Sequence, residues 1–490
     1  MNITSLLESM VLYLLFGVIV SYLGGALFKK HERIVSGALA AAALIGSLVA
    51  AFELVPFLMA GSSAVVLFGF LPLSADLLGL IIAMTGIALA LVVAVYSLSY
   101  MDEDTGTNKF FPLLLLLVIS VLGLSFTFDL FNLYLFFELL SITSFTLVAF
   151  RKDQWDPVEA GIKFLVMSAT GSAMILLGVA LVYMNFGSLD LKVIYQMIAA
   201  NPAGGLWLPL SLFTVGFGIK AAIFPLHTWL PDAHAEAPSG ISAMLSGIVI
   251  EVGLFALLRI MLSMGASLPW GKMFIIFAVL TMTAGNIMAL TQKSLKRMLA
   301  YSSVAQMGYI VLGLGVGIHY GIAAGTTGGI FHIITHAFMK GLAFLCAGAI
   351  IHRIGSGKIE DMHGVAWKMP VTGLAFTIAV LSLAGVPPFS GFMSKLLIYK
   401  SGIQAATTVG WAVSLIAIFN SVLSLGYYLP AVGALYSKDT TAASTKAKEV
   451  PFMMSSMLVV LALVTIYLGV MPDPVRSWAA QAVSMLQGGF

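Results

Sequence analysis

The sequence predicts an all-α polytopic membrane protein of about fourteen transmembrane helices, with two inverted five-helix repeats and with helices 7 and 12 broken. Three observations lead there. Of the 490 residues, 60% are hydrophobic and 9% are charged, with mean hydropathy +1.04, far outside the range of a soluble domain. The apolar residues fall into stretches close to the ~20 residues that cross about 30 Å of hydrocarbon. Finally, two of these stretches carry a proline and a lysine at matching places in successive five-helix units, a pointer to an inverted-repeat transporter.

In chain order the stretches are 8–28, 34–54, 76–100, 111–129, 131–150, 160–184, 206–228, 239–262, 272–291, 298–316, 322–351, 371–400, 409–435 and 452–470. The first is preceded by Glu8 and no Lys or Arg and has no small-residue cleavage pattern, so it reads as a retained span and not a signal peptide. The long stretches at 322 and 371 allow tilt or interruption. The organisation expected is helices 1–3 in residues 1–110, a first inverted repeat (helices 4–8) in 111–262, a second (helices 9–13) in 272–435, and a C-terminal helix and tail in 452–490.

The loops support the count, because Lys and Arg gather on the cytoplasmic side. With fourteen spans and both termini outside, the inside loops hold Lys29, Lys30, Arg33, Lys109, Arg151, Lys152, Lys293, Lys296, Arg297, Arg353, Lys358, Lys368, Lys438, Lys446 and Lys448. The outside loops hold three cations, Lys192, Lys272 and Arg476. The linkers near 185–205 and 437–450 are too short to fold alone, so any redox or nucleotide chemistry is expected on another polypeptide. The net charge of +3 is small and dispersed, which argues against a nucleic-acid partner. The single cysteine, Cys346, excludes a disulfide framework or a cysteine-ligated cluster within this subunit.

The remaining charges lie at membrane depth, where each costs about 2.5–3.5 kcal/mol on insertion scales and so needs a partner or a task. Those that form a connected set are Glu138, Lys163, Lys220, Glu251, His332, His336, Lys340 and Lys395, while Arg259 and Lys400 also fall inside or at the edges of predicted spans. Pro225 follows Lys220 by five residues, lacks an N–H and clashes with the carbonyl of Ala221, so the seventh helix should break just past the lysine. Burial disfavours an ammonium and a nearby carboxylate favours it. A lysine balanced between the two can load and release a proton, with Glu138 as the candidate carboxylate. A static ion pair pinning two helices is the competing use.

His332, His336 and Lys340 recur every four residues and share one helical face. That stripe suits a proton relay better than a metal site, since no third ligand or HExxH arrangement accompanies it; carbonyl-bonded packing histidines are the bland alternative. Asp232, His234 and Glu236 in "LPDAHAEAPSG" could gather protons at a cytoplasmic entrance, and a solvated turn capped by Ser239 accounts for them equally well. No phosphate-binding glycine loop, catalytic residue or cofactor-binding residue is identified.

The segments "DLFNLYLFFELLSITSF", "GFGIKAAIFPLHTWLPDAHAEAPSGISAMLSG", "KSLKRMLAYSSVAQMGY", "HIITHAFMKGLAFLCAGAI" and "GVPPFSGFMSK" resemble, in order, the signatures of one family. It is that of the antiporter-like proton-pumping subunits shared by respiratory complex I, group 4 membrane-bound hydrogenases and Mrp-type cation/proton antiporters. The resemblance implies that Glu138 is the fifth-helix glutamate paired with the proton-carrying lysine, Lys220, in the broken seventh helix. It also implies that His332, His336 and Lys340 are the eleventh-helix polar stripe and that Lys395 ends the second half-channel. One position departs: the eighth-helix residue that is usually lysine is Glu251, which reverses the charge of the central link.

The leading expectation is therefore an ion-translocating subunit, carrying protons or sodium, of a multisubunit redox-driven complex in a prokaryotic inner membrane. Its partners would be other membrane subunits, antiporter-like ones among them, and peripheral redox subunits carrying iron–sulfur clusters or a Ni–Fe centre, with no cofactor in this chain. An Mrp-type sodium/proton antiporter subunit without a redox partner is the near alternative, and a non-pumping membrane scaffold for a peripheral enzyme is the distant one.

Overall fold

A lipid interior offers no water to amide groups, so long apolar stretches fold as helices that satisfy their own backbone. The chain is described by a computed structural model over residues 2–62, 64–68, 71–200, 205–265 and 268–487. Among the described residues, twelve of the expected stretches are continuous helices long and apolar enough to cross a membrane, and the other two are broken.

The first six are α1 (Ile3–Leu27), α2 (Glu32–Met59), α3 (Leu77–Tyr100), α4 (Thr107–Phe126), α5 (Leu130–Val148) and α6 (Trp155–Phe186). A short amphipathic helix, α7 (Leu191–Ala200), buries Leu191, Ile194 and Ile198 where the sequence suggested a linker. The expected seventh span ends early as α8 (Trp207–Lys220), and after a break the chain continues beyond that span as α9 (Trp229–Glu236). There follow α10 (Ser239–Met264), α11 (Trp270–Leu290), α12 (Leu295–Tyr320) and α13 (Ala323–Ile354). The expected twelfth span is split into α14 (Pro370–Ala384) and α15 (Ser390–Gln404). The chain then forms α16 (Thr408–Leu435), α17 (Phe452–Val470) and α18 (Asp473–Gln487).

Two elements were not expected. β1 (Ala64–Phe68) pairs antiparallel with β2 (Leu71–Ala75), placing a hairpin between α2 and α3. Val65 and Val66 favour a strand, and the run is too short to span. The C-terminal tail is the amphipathic α18, which packs on α13 and α3 and whose Gln481 Nε2 donates to the Met59 carbonyl at 2.6 Å.

The centre of the bundle is α10, α12 and α13, whose side chains are nearly all buried. α1, α6, α11 and α16 sit outside and expose apolar side chains such as Phe16, Leu177, Ile287 and Phe419, as lipid-facing helices do. One turn of α10, Leu245–Val249, is a wide π turn immediately before Glu251, a distortion frequent at functional sites.

Far along α10 from that turn, Arg259 is 3% exposed and ties three elements together. Its Nη2 donates to the Asp76 carboxylate at 2.9 and 3.1 Å, and Nη1 to the Thr127 carbonyl at 3.3 Å. Asp76 meanwhile caps α3 by accepting from Gly79 N at 2.9 Å. Removing one partner of a buried pair is strongly destabilising, whereas exposure of the other softens the loss. Arg259→Met should therefore cost about 2–3 kcal/mol. Thermal unfolding of Arg259→Met, Asp76→Asn and the double variant measures the coupling; a coupling near zero would show that the pair contributes nothing.

Candidate ion-translocation site

Lys220 is the last residue of α8, where the carbonyl end of the helix favours a cation. The break that follows is built from Ala222, whose φ of 51° lies in the left-handed region, and from Pro225. The carbonyl of Ile219, which accepts from Ala222 N at 3.1 Å, also accepts a hydrogen bond from Trp229 Nε1 at 2.8 Å. Lys220 is 1% exposed. Gly253 of α10 makes room for its stem, since a Cβ there would come 2.8 Å from Lys220 Cγ.

The ammonium of Lys220 has no hydrogen-bond partner among the described residues. Glu138 on α5 is within electrostatic reach, but the two do not approach within the 4.0 Å of an ion pair. Nζ lies instead over two rings, 5.2 Å from the centre of Phe137 and 4.8 Å from that of Phe164.

Lys163 differs from the sequence expectation. It is half-exposed near the start of α6 and binds Glu159 at 2.9 Å and Asp232 at 3.1 Å. Asp232 also binds Arg297 Nη1 at 2.7 Å, and an open cleft there is lined by Asp156, Glu159, Lys163, Asp232, Glu236 and Arg297. Lys163 thus lies with Asp232 and Glu236 at this cleft and not with Lys220.

The segment read as a solvated turn is α9. His234 is fully buried, stacked on Phe344 at 4.6 Å, with no hydrogen-bond partner for either ring nitrogen among the described residues. Ser239 does not cap a helix; it is the first residue of α10 and meets the Tyr100 hydroxyl at 3.2 Å. Lys296, counted among loop cations, is buried in the first turn of α12 and donates to the carbonyls of Ala235 and Ala237 at 3.0 and 2.6 Å, tying the end of α9 to α12.

Glu251 and His336 are both fully buried, and Glu251 Oε1 lies 2.5 Å from His336 Nδ1. One turn away on α13 is His332, its ring centre 6.0 Å from that of His336. His332 Nδ1 meets Ser394 Oγ at 2.7 Å, and its Nε2 meets Gln306 Oε1 at 3.1 Å. Gln306 Nε2 donates to the Leu383 carbonyl at 2.9 Å, which also accepts from Lys395 Nζ at 2.7 Å. Lys395 donates further to Ser421 Oγ at 3.0 Å and sits 4.1 Å from the Tyr309 ring centre. Lys340 lies on the same helix as the two histidines and donates to the Leu299 carbonyl at 2.7 Å and to Ser302 Oγ.

A nearly continuous polar line therefore runs inside the protein from Glu251 through His336, His332 and Gln306 to Lys395. The freed carbonyl of the second break, Leu383, is its junction, as Ile219 is the capped carbonyl of the first. Sequence reasoning missed Gln306, Ser394, Ser421 and the Leu383 carbonyl. The available signal was neutral polar residues inside "VAQMGY" and "GFMSK". Among the described residues no three His, Cys, Asp or Glu side chains come together as metal ligands would.

Residues 127–424 match the family described as NADH:quinone oxidoreductase/Mrp antiporter, transmembrane. The chain belongs to this family. The matched region contains every residue of the polar line and of the first break, and Asp232 and Glu236 of the cleft. A relative in Methanosarcina mazei, the F(420)H(2) dehydrogenase subunit N, is 35% identical over 84% of this chain and 85% of its own length. The NADH-quinone oxidoreductase subunit N of Moorella thermoacetica is 32% identical over 93% of each chain. Among solved structures, a chain of the archaeal membrane-bound sulfane sulfur reductase matches with TM-score 0.87 and 27% identity over 98% of this chain and 97% of its own. A chain of the Mrp complex from Dietzia sp. shares the fold, with TM-score 0.88 and 24% identity over 98% of this chain and 97% of its own. The protein is thus an antiporter-like polytopic membrane subunit of the NADH:quinone oxidoreductase/Mrp antiporter family.

Proposed function

We propose that this chain translocates ions, protons first and sodium as the alternative cargo, within a redox-driven complex of a prokaryotic cell membrane. The observation that carries the reading is the buried line Glu251–His336–His332–Gln306–Lys395, with Lys220 at the first helix break on the other side of α10. Titratable side chains in a row inside a membrane, bridged by a neutral amide, suit a relay. The regions 111–262 and 272–435 act as two half-channels, each centred on one break. Asp232, Glu236, Lys163 and Arg297 collect ions at an entrance on the side where cations gather, with both termini on the opposite side.

The redox-driven reading is favoured over the Mrp reading by the relatives above 30% identity, which are named as dehydrogenase and oxidoreductase subunits. The partners are other antiporter-like membrane subunits and peripheral subunits holding iron–sulfur clusters, with no cofactor on this chain. Mild-detergent purification of the tagged protein from its native membrane, with partner identification, metal analysis and electron-driven ion uptake in vesicles, tests it. Iron-containing partners and coupled uptake are expected. Small membrane partners without metal, together with sodium/proton exchange, would replace it by the Mrp reading; intact electron transfer with no ion movement would leave a scaffold.

A further inference from the structure

Where an ion pair was expected, Lys220 meets rings. Its Nζ is 4.8 Å from the Phe164 centre and 5.2 Å from the Phe137 centre, inside the ~6 Å over which a ring face attracts a cation. Neither ring is loosely placed. Phe164 stacks face to face on Trp229 at 3.8 Å and 7°, and Trp229 is held by its bond to the Ile219 carbonyl. Phe137 meets Phe217 of α8 edge-on at 5.4 Å and 84°. Phe137, Phe164 and Trp229 are all essentially unexposed, so the attraction acts without competing water.

The charged groups around the lysine leave this role open. Glu138 on α5 is the neighbouring carboxylate and makes no ion pair with it. On α6, Lys163 and Glu159 bind each other at the surface. On α10, Glu251 turns to His336 and Arg259 to Asp76. On α9, Asp232 binds Lys163 and Arg297, and His234 stacks on Phe344.

We propose that Phe137 and Phe164 form a cation–π cradle that holds the ammonium of Lys220 apart from Glu138, and that Trp229 fixes this cradle to the far side of the helix break. The protonated lysine then has a resting station of its own and does not depend on continuous pairing with the glutamate. The same two elements meet a second time at the entrance, where Lys163, next to Phe164, binds Asp232, three residues past Trp229. A shift of α9 at the entrance is thereby transmitted to the cradle. The inference rests on the reading of Lys220 as an ion carrier.

The test uses the assembled complex in native-membrane vesicles, with mono-, di- and trifluorophenylalanine at position 164 and, separately, at 137. Fluorination drains the ring face of negative potential and leaves its shape nearly unchanged. A cradle stabilises the charged lysine, so weakening it should move the alkaline limb of the pH–uptake profile to lower pH in graded steps. The total expected is roughly half to one pH unit. The same series at Phe213, whose ring lies against Phe217 at 6.4 Å, should leave the profile in place. An unmoved limb for both 137 and 164, or an equal shift for 213, overturns the cradle. Lys220→Ala in the same vesicles separates the two ideas: uptake that survives it removes the carrier reading and the cradle together, whereas uptake lost with it but insensitive to fluorination removes the cradle alone.

Discussion

Lys220→Ala is expected to lower ion translocation by at least ~100-fold while the complex still assembles. The two halves of this expectation have separate physical grounds. A buried lysine that exchanges a proton contributes on the scale of a general acid or base, about two to four orders of magnitude. Assembly should survive because no ion pair or hydrogen bond is broken: Lys220 has no ion-pair partner within 4.0 Å and no hydrogen-bond partner among the described residues. The packing lost with its methylene stem is worth roughly 2–3 kcal/mol at about 0.8 per CH₂, and it is offset by no longer burying an ammonium. Lys220→Arg sharpens the test. A guanidinium keeps the charge but does not release its proton in a protein, so a carrier role predicts an assembled, non-translocating complex. A role as a static positive charge predicts that arginine works. Uptake rate per electron transferred, read beside the amount of assembled complex, distinguishes them.

The positions of both breaks were legible because their cause is covalent: Pro225, Pro387 and Pro388 lack donors, and no surrounding sequence can restore them. The histidine stripe was legible for a similar reason, since charge and titratable groups inside an apolar run are costly and therefore conspicuous. Gln306 and Ser394 were hidden because one neutral polar residue barely alters the hydropathy of a helix, and their importance comes from which helix they face. His234 was misjudged from its company of Asp232 and Glu236; tertiary stacking on Phe344 buries it, which no local pattern encodes. Lys163 was read at membrane depth, whereas its pairing with Glu159 and Asp232 leaves it half-exposed on the cleft, and the Asp232 contact is tertiary, beyond any local pattern. The hairpin of Ala64–Ala75 escaped notice since an apolar run of that length has no diagnostic period.

Glu251→Gln is expected to reduce translocation by about 100-fold, again without loss of the folded subunit. The substituted amide fills the same space and can still hydrogen-bond His336 Nδ1, so the contact at 2.5 Å loses its ability to take up a proton and little else. That ability matters at this position more than elsewhere on the line. α10 stands between Lys220 and the polar line, with Gly253 turned toward Lys220 and Glu251 turned toward His336. A carboxylate and an imidazole buried together can hold one proton or two, and each filling changes the charge felt by His332 a turn away. An ammonium at this place, the usual choice of the family that the motifs resemble, would set like charges against each other at His336, where here a carboxylate oxygen lies 2.5 Å from Nδ1. Glu251→Lys should accordingly translocate no better than Glu251→Gln, because it sets an ammonium against His336 on a helix that already carries Lys340. Translocation at the native rate in the Glu251→Gln variant would show that the pair is a fixed link between α10 and α13, and the relay would then have to pass from Lys220 to His336 without it.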